Sequence, residues 1–315
     1  MTTLQNVKTG FPAFYDSAKV GQLYLPDMAG AAAAGQVSGL TPANQDRQRV
    51  MLLLVDPQVD FIFKEGSLSV PGAIEDTRRT IEWIYRNAGE ITSISASLDS
   101  HTTFQIFYPT WWGNDQGQHP APYTQITTDD IHKGIWKPLV DPAWSIRYVE
   151  ELEKGGKYSL MIWPYHTMIG TPGQSLVPTL SEAIIYHSAA RHAQPTWLIK
   201  GSIPQTENYS ILEPEVKVPK HPLGGVNTAF LDTLGKYDLI YVAGQAKSHC
   251  VLSTMRSIMQ YFAAQPQVIA KLRFLMDCTS SVAHPEVDFD ALANAELDQM
   301  AQKGMRLVTS QDTIG

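Results

Sequence analysis

Only two of the 315 residues are cysteines, Cys250 and Cys278, too few for a disulfide framework, so each is either core filler or a reactive thiol. Cys250 follows an apolar run, Asp238 to Ala243, through the turn Gly244-Gln245-Ala246-Lys247-Ser248-His249. Beyond it Val251, Met255, Ile258, Met259 and Phe262 recur at helical spacing. This pattern puts a thiol at a helix N-terminus with Ser248 as N-cap, where the positive end of the helix dipole lowers the thiol pKa and exposes thiolate for attack on a carbonyl. The competing reading is a small buried hydrophobe. Cys278, after an apolar run and before Thr279-Ser280-Ser281, takes that second reading.

A nucleophilic thiol needs a group to move its proton and a cation to hold its charge. Asp56 and Lys200 each close an apolar run, which makes them candidates, although a strand-end Asp is often a turn former and a strand-end Lys is usually solvated. A second constellation is Asp99-Ser100-His101, whose carboxylate and imidazole, two residues apart in extended chain, point the same way and could share one metal ion. His166, in Trp163-Pro164-Tyr165-His166, could add a third ligand and leave a position open for water or substrate. With nine histidines in the chain, chance pairs also arise. His119, His132, His187, His192, His221 and His284 show no such spacing and are read as surface or structural, and His249 as solvated or capping.

These residues must be positioned by a sheet. Short, near-continuous apolar runs span Val50 to Val55, Ile91 to Leu98, Trp197 to Lys200, Asp238 to Ala243, Arg273 to Asp277 and Arg306 to Val308, as buried parallel strands require. Helical spacing at Ile74 to Ala88 and Ala291 to Gln302 lies between them, so the expectation is an α/β sheet with helices on both faces and chemistry at the C-terminal strand ends. Residues 1–47, rich in Gly, Ala, Pro and Thr without a sustained period, are expected to form an arm draped over the body or a partner. The stretch at about 102–159, rich in Trp, Tyr, Pro and Gly, breaks the alternation and is read as an insertion covering the site within a domain of residues 48–315.

Several functions are disfavoured. Hydrophobic residues at 43% against 17% charged rule out disorder as a description of the whole chain. A net charge of −7 without a basic run supplies no phosphate-neutralising surface, so nucleic acid is not expected as a partner. No stretch approaches the ~18 apolar residues of a membrane span, and one early cation, Lys8, has no compact apolar run after it. A cytoplasmic protein without membrane partners is expected. Gly170-Thr171-Pro172-Gly173-Gln174-Ser175 lacks the Lys and the strand–helix context of a phosphate loop, and neither G-x-G-x-x-G nor G-x-S-x-G occurs.

Taken in order, LLLVDPQVDF (52–61), GSLSVPGA (66–73), SLDSH (97–101), WPYHTMIGTPG (163–173), LIKG (198–201) and VAGQAKSHCV (242–251) resemble the isochorismatase-like cysteine hydrolases, and within them the nicotinamidases. The resemblance implies a three-layer α/β sandwich with a six-stranded, mostly parallel sheet of Rossmann-like topology. It implies a catalytic triad of Asp56, Lys200 and Cys250, and a cis peptide at Gln245-Ala246 that aims the amides of Ala246 and Cys250 at an oxyanion. It also implies that Phe61 and Trp163 sandwich a pyridine ring, while Asp99, His101 and His166 hold one divalent metal ion. Zinc is the expected ion, and the donor set also suits Fe or Mn.

The expected activity is hydrolysis of nicotinamide to nicotinate and ammonia, with a small-molecule amide as the partner. Rival readings are a related amidase acting on a carbamoyl or ureido compound, and a non-catalytic binding protein on the same fold. A thiol redox protein is disfavoured by the lack of a C-x-x-C pair. Three features depart from the family pattern: the long gap between His101 and His166, the residues Gln245, Lys247 and Ser248 in the nucleophile turn, and Thr167 after the ligand histidine. The apolar arm and the Trp-rich insertion suggest a homo-oligomer.

Overall fold

The computed structural model describes residues 10–156 and 159–315. Lys8 and the rest of the arm's first segment, residues 1–9, lie outside them, as do residues 157–158 of the insertion. Six strands form the central sheet: β1 (Val50–Val55), β2 (Ser93–Asp99), β3 (Thr196–Lys200), β4 (Leu239–Gly244), β5 (Leu272–Leu275) and β6 (Arg306–Val308). Their order is β6-β5-β4-β1-β2-β3 and every pairing is parallel. Each matches an apolar run in the sequence, Val50–Val55 and Arg306–Val308 without displacement and the others with ends shifted by at most two residues.

The runs are continuous because both sheet faces are covered. Met51, Leu53 and Val55 of β1 join one core with Ile240 and Val242, while Val50, Leu52 and Leu54 join the other with Leu239, Tyr241 and Ala243. Leu52, Leu53 and Leu54 are fully buried, each contributing about 2 kcal/mol of hydrophobic stabilisation. The described α-helices of seven residues or more are α1 (Met28–Gln36), α2 (Ala73–Arg86), α3 (Pro142–Gly155), α4 (Pro178–Arg191), α5 (Thr228–Leu234), α6 (Leu252–Tyr261) and α7 (Phe289–Gln302). α2 and α4 supply the second core, and α3, α5, α6 and α7 the first. A three-layer α/β sandwich results. No described helix is long and apolar enough to cross a membrane.

The chain leaves β1 toward β2 and β3 on one side and returns to β4 on the other. The crevice at the C-terminal ends of β1 and β4 is therefore the topological switch point, where ligands of open α/β sheets bind. β1 and β4 meet closely there. A Cβ on Gly244, whose φ is +120°, would come within 2.1 Å of the Val55 carbonyl oxygen, so only glycine lets β4 turn at this point.

From residue 10 on, the N-terminal segment packs on the rest of the chain. Phe14 and Tyr15 pack on Tyr85, and the Tyr24 hydroxyl and Asp27 N–H donate to Glu182 at 2.7 and 2.9 Å. It also contains a helix, α1, that its sequence did not signal. MAGAAAAGQ has no apolar stripe because α1 docks through small residues: a Cβ on Gly35 would stand 2.4 Å from the Tyr186 carbonyl oxygen of α4. The stretch at about 102–159 differs from the expected cover. It carries two short ribbons and α3, and its Phe107, Tyr108, Trp112 and Tyr148 are core residues.

Candidate active site

β1 delivers Asp56 in the left-handed region, φ +45°, a conformation Asp tolerates better than most residues. Its N–H donates to Ser97 Oγ at 2.9 Å, and the Ser97 hydroxyl donates to Asp56 Oδ1 at 2.6 Å. Lys200 ends β3, directly beside Asp99 at the end of β2. The Lys200 ammonium lies 3.1 Å from Asp56 Oδ2 and 3.1 Å from Asp99 Oδ1. It donates to the Asn208 carbonyl at 2.5 Å and stands 3.7 Å from Cys250 Sγ. All four side chains are buried. Burial opposes the lysine's charge, but Asp56 and Asp99 outweigh it and hold the pKa well above normal.

Cys250 lies in a turn of π-helix, Lys247–Val251, that leads into α6. Two expectations fail here. Ser248 does not cap the helix: its hydroxyl accepts from Val282 N–H and bonds His249 Nδ1. Nor is the thiol pKa lowered, because burial pushes it well up, Lys200 opposes only in part, and the Asp56 and Asp99 charges raise it further. A helix end contributes about 1 kcal/mol, whereas complete burial shifts a pKa by several units. The resting group is a thiol with Asp56 beside it. Burial and the neighbouring Asp99 also raise the pKa of Asp56, against Lys200, which favours proton exchange between them. The Gln245-Ala246 peptide is cis.

Asp99, His101 and His166 offer ligand atoms that all lie within 4.8 Å of one another, each residue buried. His101 Nδ1 is 2.9 Å from the Gly201 carbonyl and His166 Nδ1 is 2.7 Å from the Pro164 carbonyl. Carbonyls only accept, so both Nδ1 atoms carry protons, and each ring when neutral presents its Nε2 lone pair. His101 Nε2 lies 3.0 Å from Asp99 Oδ2 without a hydrogen-bond partner. A carboxylate oxygen and an imidazole nitrogen at this distance share a cation: a proton, for which, against burial, the Asp99 charge raises the pKa of His101, or a divalent metal, which the donor set fits. Burial alone would raise the Asp99 pKa, but His101 and Lys200 hold it below the usual carboxylate range. Burial and His101 press His166 down to about 4, keeping its lone pair free.

One cavity joins the two groups. Among the described residues it is lined by Phe61, Leu68, Val70, Asp99, Trp163, His166, Glu207, Tyr209, Ala246, His249, Cys250 and Val282. Phe61, Trp163 and Ala246 are thus brought to the same cavity as Cys250. None of these residues comes from 102–159, whose Phe107 and Tyr108 rings instead back the His101 ring at 4.8 and 5.9 Å.

Other functional candidates escaped the sequence reading. Gln58 accepts from Asp99 N–H and donates to the Asp99 carbonyl, both at 2.7 Å, fixing that residue from the segment just beyond β1. Glu207, pushed up to about 7 by burial against the pull of His101, was detectable only as an isolated carboxylate in the uncharged stretch between Lys200 and Glu213. His249 is neither solvated nor a cap. It is buried, packs edge-on to Trp163, Tyr209 and Phe289, and is held near 4 by burial and Arg256.

No protein-family model and no curated protein matches the chain. Solved structures do match. A nicotinamidase/pyrazinamidase of Acinetobacter baumanii shares 18% identity, with 86% of this chain and 100% of that one covered and a TM-score of 0.53. The fold is that of the nicotinamidases. The yeast nicotinamidase bound to the inhibitor nicotinaldehyde shares 18% identity over 82% of this chain and 99% of its own, with a TM-score of 0.55. A protein of L. infantum in complex with nicotinate shares 20% identity over 84% and 94%, with a TM-score of 0.50.

Proposed function

We propose that the protein is a cysteine amidohydrolase of the isochorismatase-like superfamily that converts nicotinamide and water to nicotinate and ammonia. The observation that carries this reading is the juxtaposition of a buried Asp–Lys–thiol cluster with a buried Asp–His–His group, one cavity reaching Cys250 of the first and Asp99 and His166 of the second. Similarity to nicotinamidase structures in fold supports it.

Asp56 accepts the thiol proton as Cys250 Sγ attacks the amide carbon, and Lys200 stabilises the thiolate. The amides of Ala246 and Cys250 hold the oxyanion. When the C–N bond breaks, Asp56 returns the proton to the departing nitrogen, releasing ammonia and leaving a thioester. Asp56 then takes a proton from water, whose oxygen attacks the thioester, and the thiol is regenerated as the carboxylate leaves. Phe61 and Trp163 bracket the ring. Asp99, His101 and His166 would hold a divalent ion, zinc by donor type, which supplies a coordination position that orients the pyridine nitrogen.

Ammonia release from nicotinamide by purified, metal-analysed protein is the deciding experiment. Turnover with nicotinamide is expected. Turnover only with carbamoyl or ureido compounds would replace the substrate assignment, and tight binding of nicotinamide without any ammonia would overturn the enzyme reading.

A further inference from the structure

The turn ahead of Cys250 is gripped by a side chain that takes no part in the chemistry above. Gln245 is 1% exposed. Its backbone N–H donates to the Val55 carbonyl at 2.8 Å, immediately before Asp56. Its side-chain Nε2 donates to Asp76 Oδ2 at 2.9 Å, and its Oε1 accepts from Ser280 N–H at 3.2 Å. Two residues on, Lys247 N–H donates to the Ser280 carbonyl at 2.7 Å. Asp76 is buried in the first turn of α2, and its other oxygen receives Arg79 at 2.7 Å. Ser280 in turn lies two residues before Val282, part of the cavity wall.

A primary amide suits this position for a definite reason. Asp76 needs a donor and Ser280 N–H needs an acceptor, and Gln supplies both without charge. Glutamate would set one carboxylate against another. Leucine would leave a buried carboxylate oxygen and a buried N–H without these partners. The peptide that follows Gln245 carries the Ala246 N–H, so whatever fixes residue 245 also fixes the direction of that donor.

Resting on the amidase reading, we infer that Asp76 and Gln245 form a positioning unit that aims the Ala246 N–H at the oxyanion. Neither residue touches substrate. The unit ties the donor's alignment to α2 and to the Ser280–Val282 wall, so the turn cannot rotate without breaking two buried hydrogen bonds.

The test separates reactions of Cys250 that create an oxyanion-like oxygen from one that does not. Pyridine-3-carbaldehyde adds reversibly to the thiol: an S–C bond forms and the thiol proton passes to the former carbonyl oxygen. Iodoacetamide alkylates the same sulfur with loss of iodide and of the thiol proton, and develops no such oxygen. Gln245→Leu is expected to lower kcat and aldehyde affinity about tenfold to a hundredfold, as misaligned donors do, with KM and alkylation rate within about twofold. Asp76→Ala should reproduce that pattern, and the double variant should be no worse than either single one. Asp76→Asn retains an acceptor for Gln245 and should restore aldehyde capture. Equal loss of capture and alkylation, or no loss of capture, overturns the inference. If the wild-type protein hydrolyses no amide yet the variants still separate capture from alkylation, the positioning unit stands and the amidase reading falls.

Discussion

Two carboxylates stand at the ends of the adjacent strands β1 and β2, each 3.1 Å from the same ammonium of Lys200, and their pKa values are driven in opposite directions. Asp56 is raised by burial. Asp99, equally buried, is lowered because His101 and Lys200 together outweigh burial. Asp56 faces a neutral thiol and Asp99 faces imidazole. Such divergence separates roles within one site: the raised group takes a proton more readily than an ordinary carboxylate, whereas the lowered group stays an anion and suits a cation. Lys200 belongs to both halves, which gives the comparison a point at which it can be broken.

The largest effects belong on the Asp56 side. Cys250→Ala should cut turnover by a factor on the order of 10⁶, as removal of a nucleophile does, while Cys278→Ala leaves it nearly intact. Asp56→Asn should cost about a thousandfold or more with nicotinamide and benzamide alike, since it removes the general base from either reaction. Metal content should stay at the wild-type level. Steady-state kinetics with elemental analysis of the same samples checks this, and a metal loss that tracks the Asp56→Asn rate loss would erase the distinction between the carboxylates.

On the Asp99 side the signature reverses. His101→Ala should weaken metal binding about tenfold to a hundredfold and lower kcat/KM for nicotinamide, while benzamide, which has no ring nitrogen to coordinate, is spared. Chelation should do the same. Lys200→Met, removing the shared cation, should impair both turnover and metal retention. Equal nicotinamide and benzamide rates, unaffected by chelation, would falsify the nicotinamide assignment and leave a general cysteine amidase. A smaller, nonselective change is expected from Trp163→Ala, which removes a stacking face from both substrates and should raise both KM values about tenfold.

Much of this site was legible because its residues sit at the ends of apolar runs, and a buried parallel strand writes itself as such a run. Asp56, Asp99 and Lys200 stand out in that way, Cys250 as a thiol between such a run and a helical pattern, and the metal set through a two-residue spacing plus one loop histidine. The unread parts share a physical cause. Gln58, Glu207 and Gln245 matter through partners tens to hundreds of residues away, which no local period encodes. α1 was invisible because Ala and Gly dock a helix without an apolar stripe. The direction of the Cys250 pKa was misjudged because the helix terminus is a local property, whereas its burial depends on the whole assembled cavity.

His187 sharpens the comparison from outside the site, with the smallest expected effect on activity. It is buried on α4, its Nε2 lies 2.9 Å from the Ile91 carbonyl, and burial lowers its pKa to about 4. His166 reaches the same value, but beside a carboxylate and a second imidazole, so a depressed histidine pKa does not by itself mark function. The folded pKa lies below the reference of about 6.5, so the unfolded chain binds the extra proton first as pH falls. The stability owed to neutral His187 is therefore complete above about pH 6.5 and is lost as pH falls toward 4, by about 3 kcal/mol for a shift of this size. His187→Gln keeps a donor for Ile91 and removes the titration. Urea unfolding between pH 7 and 4 should show a shallower decline for this variant than for wild type, with unchanged amide turnover at pH 7. Parallel stability curves would mean that His187 titrates normally in the folded protein, and a loss of turnover would place α4 in the working site.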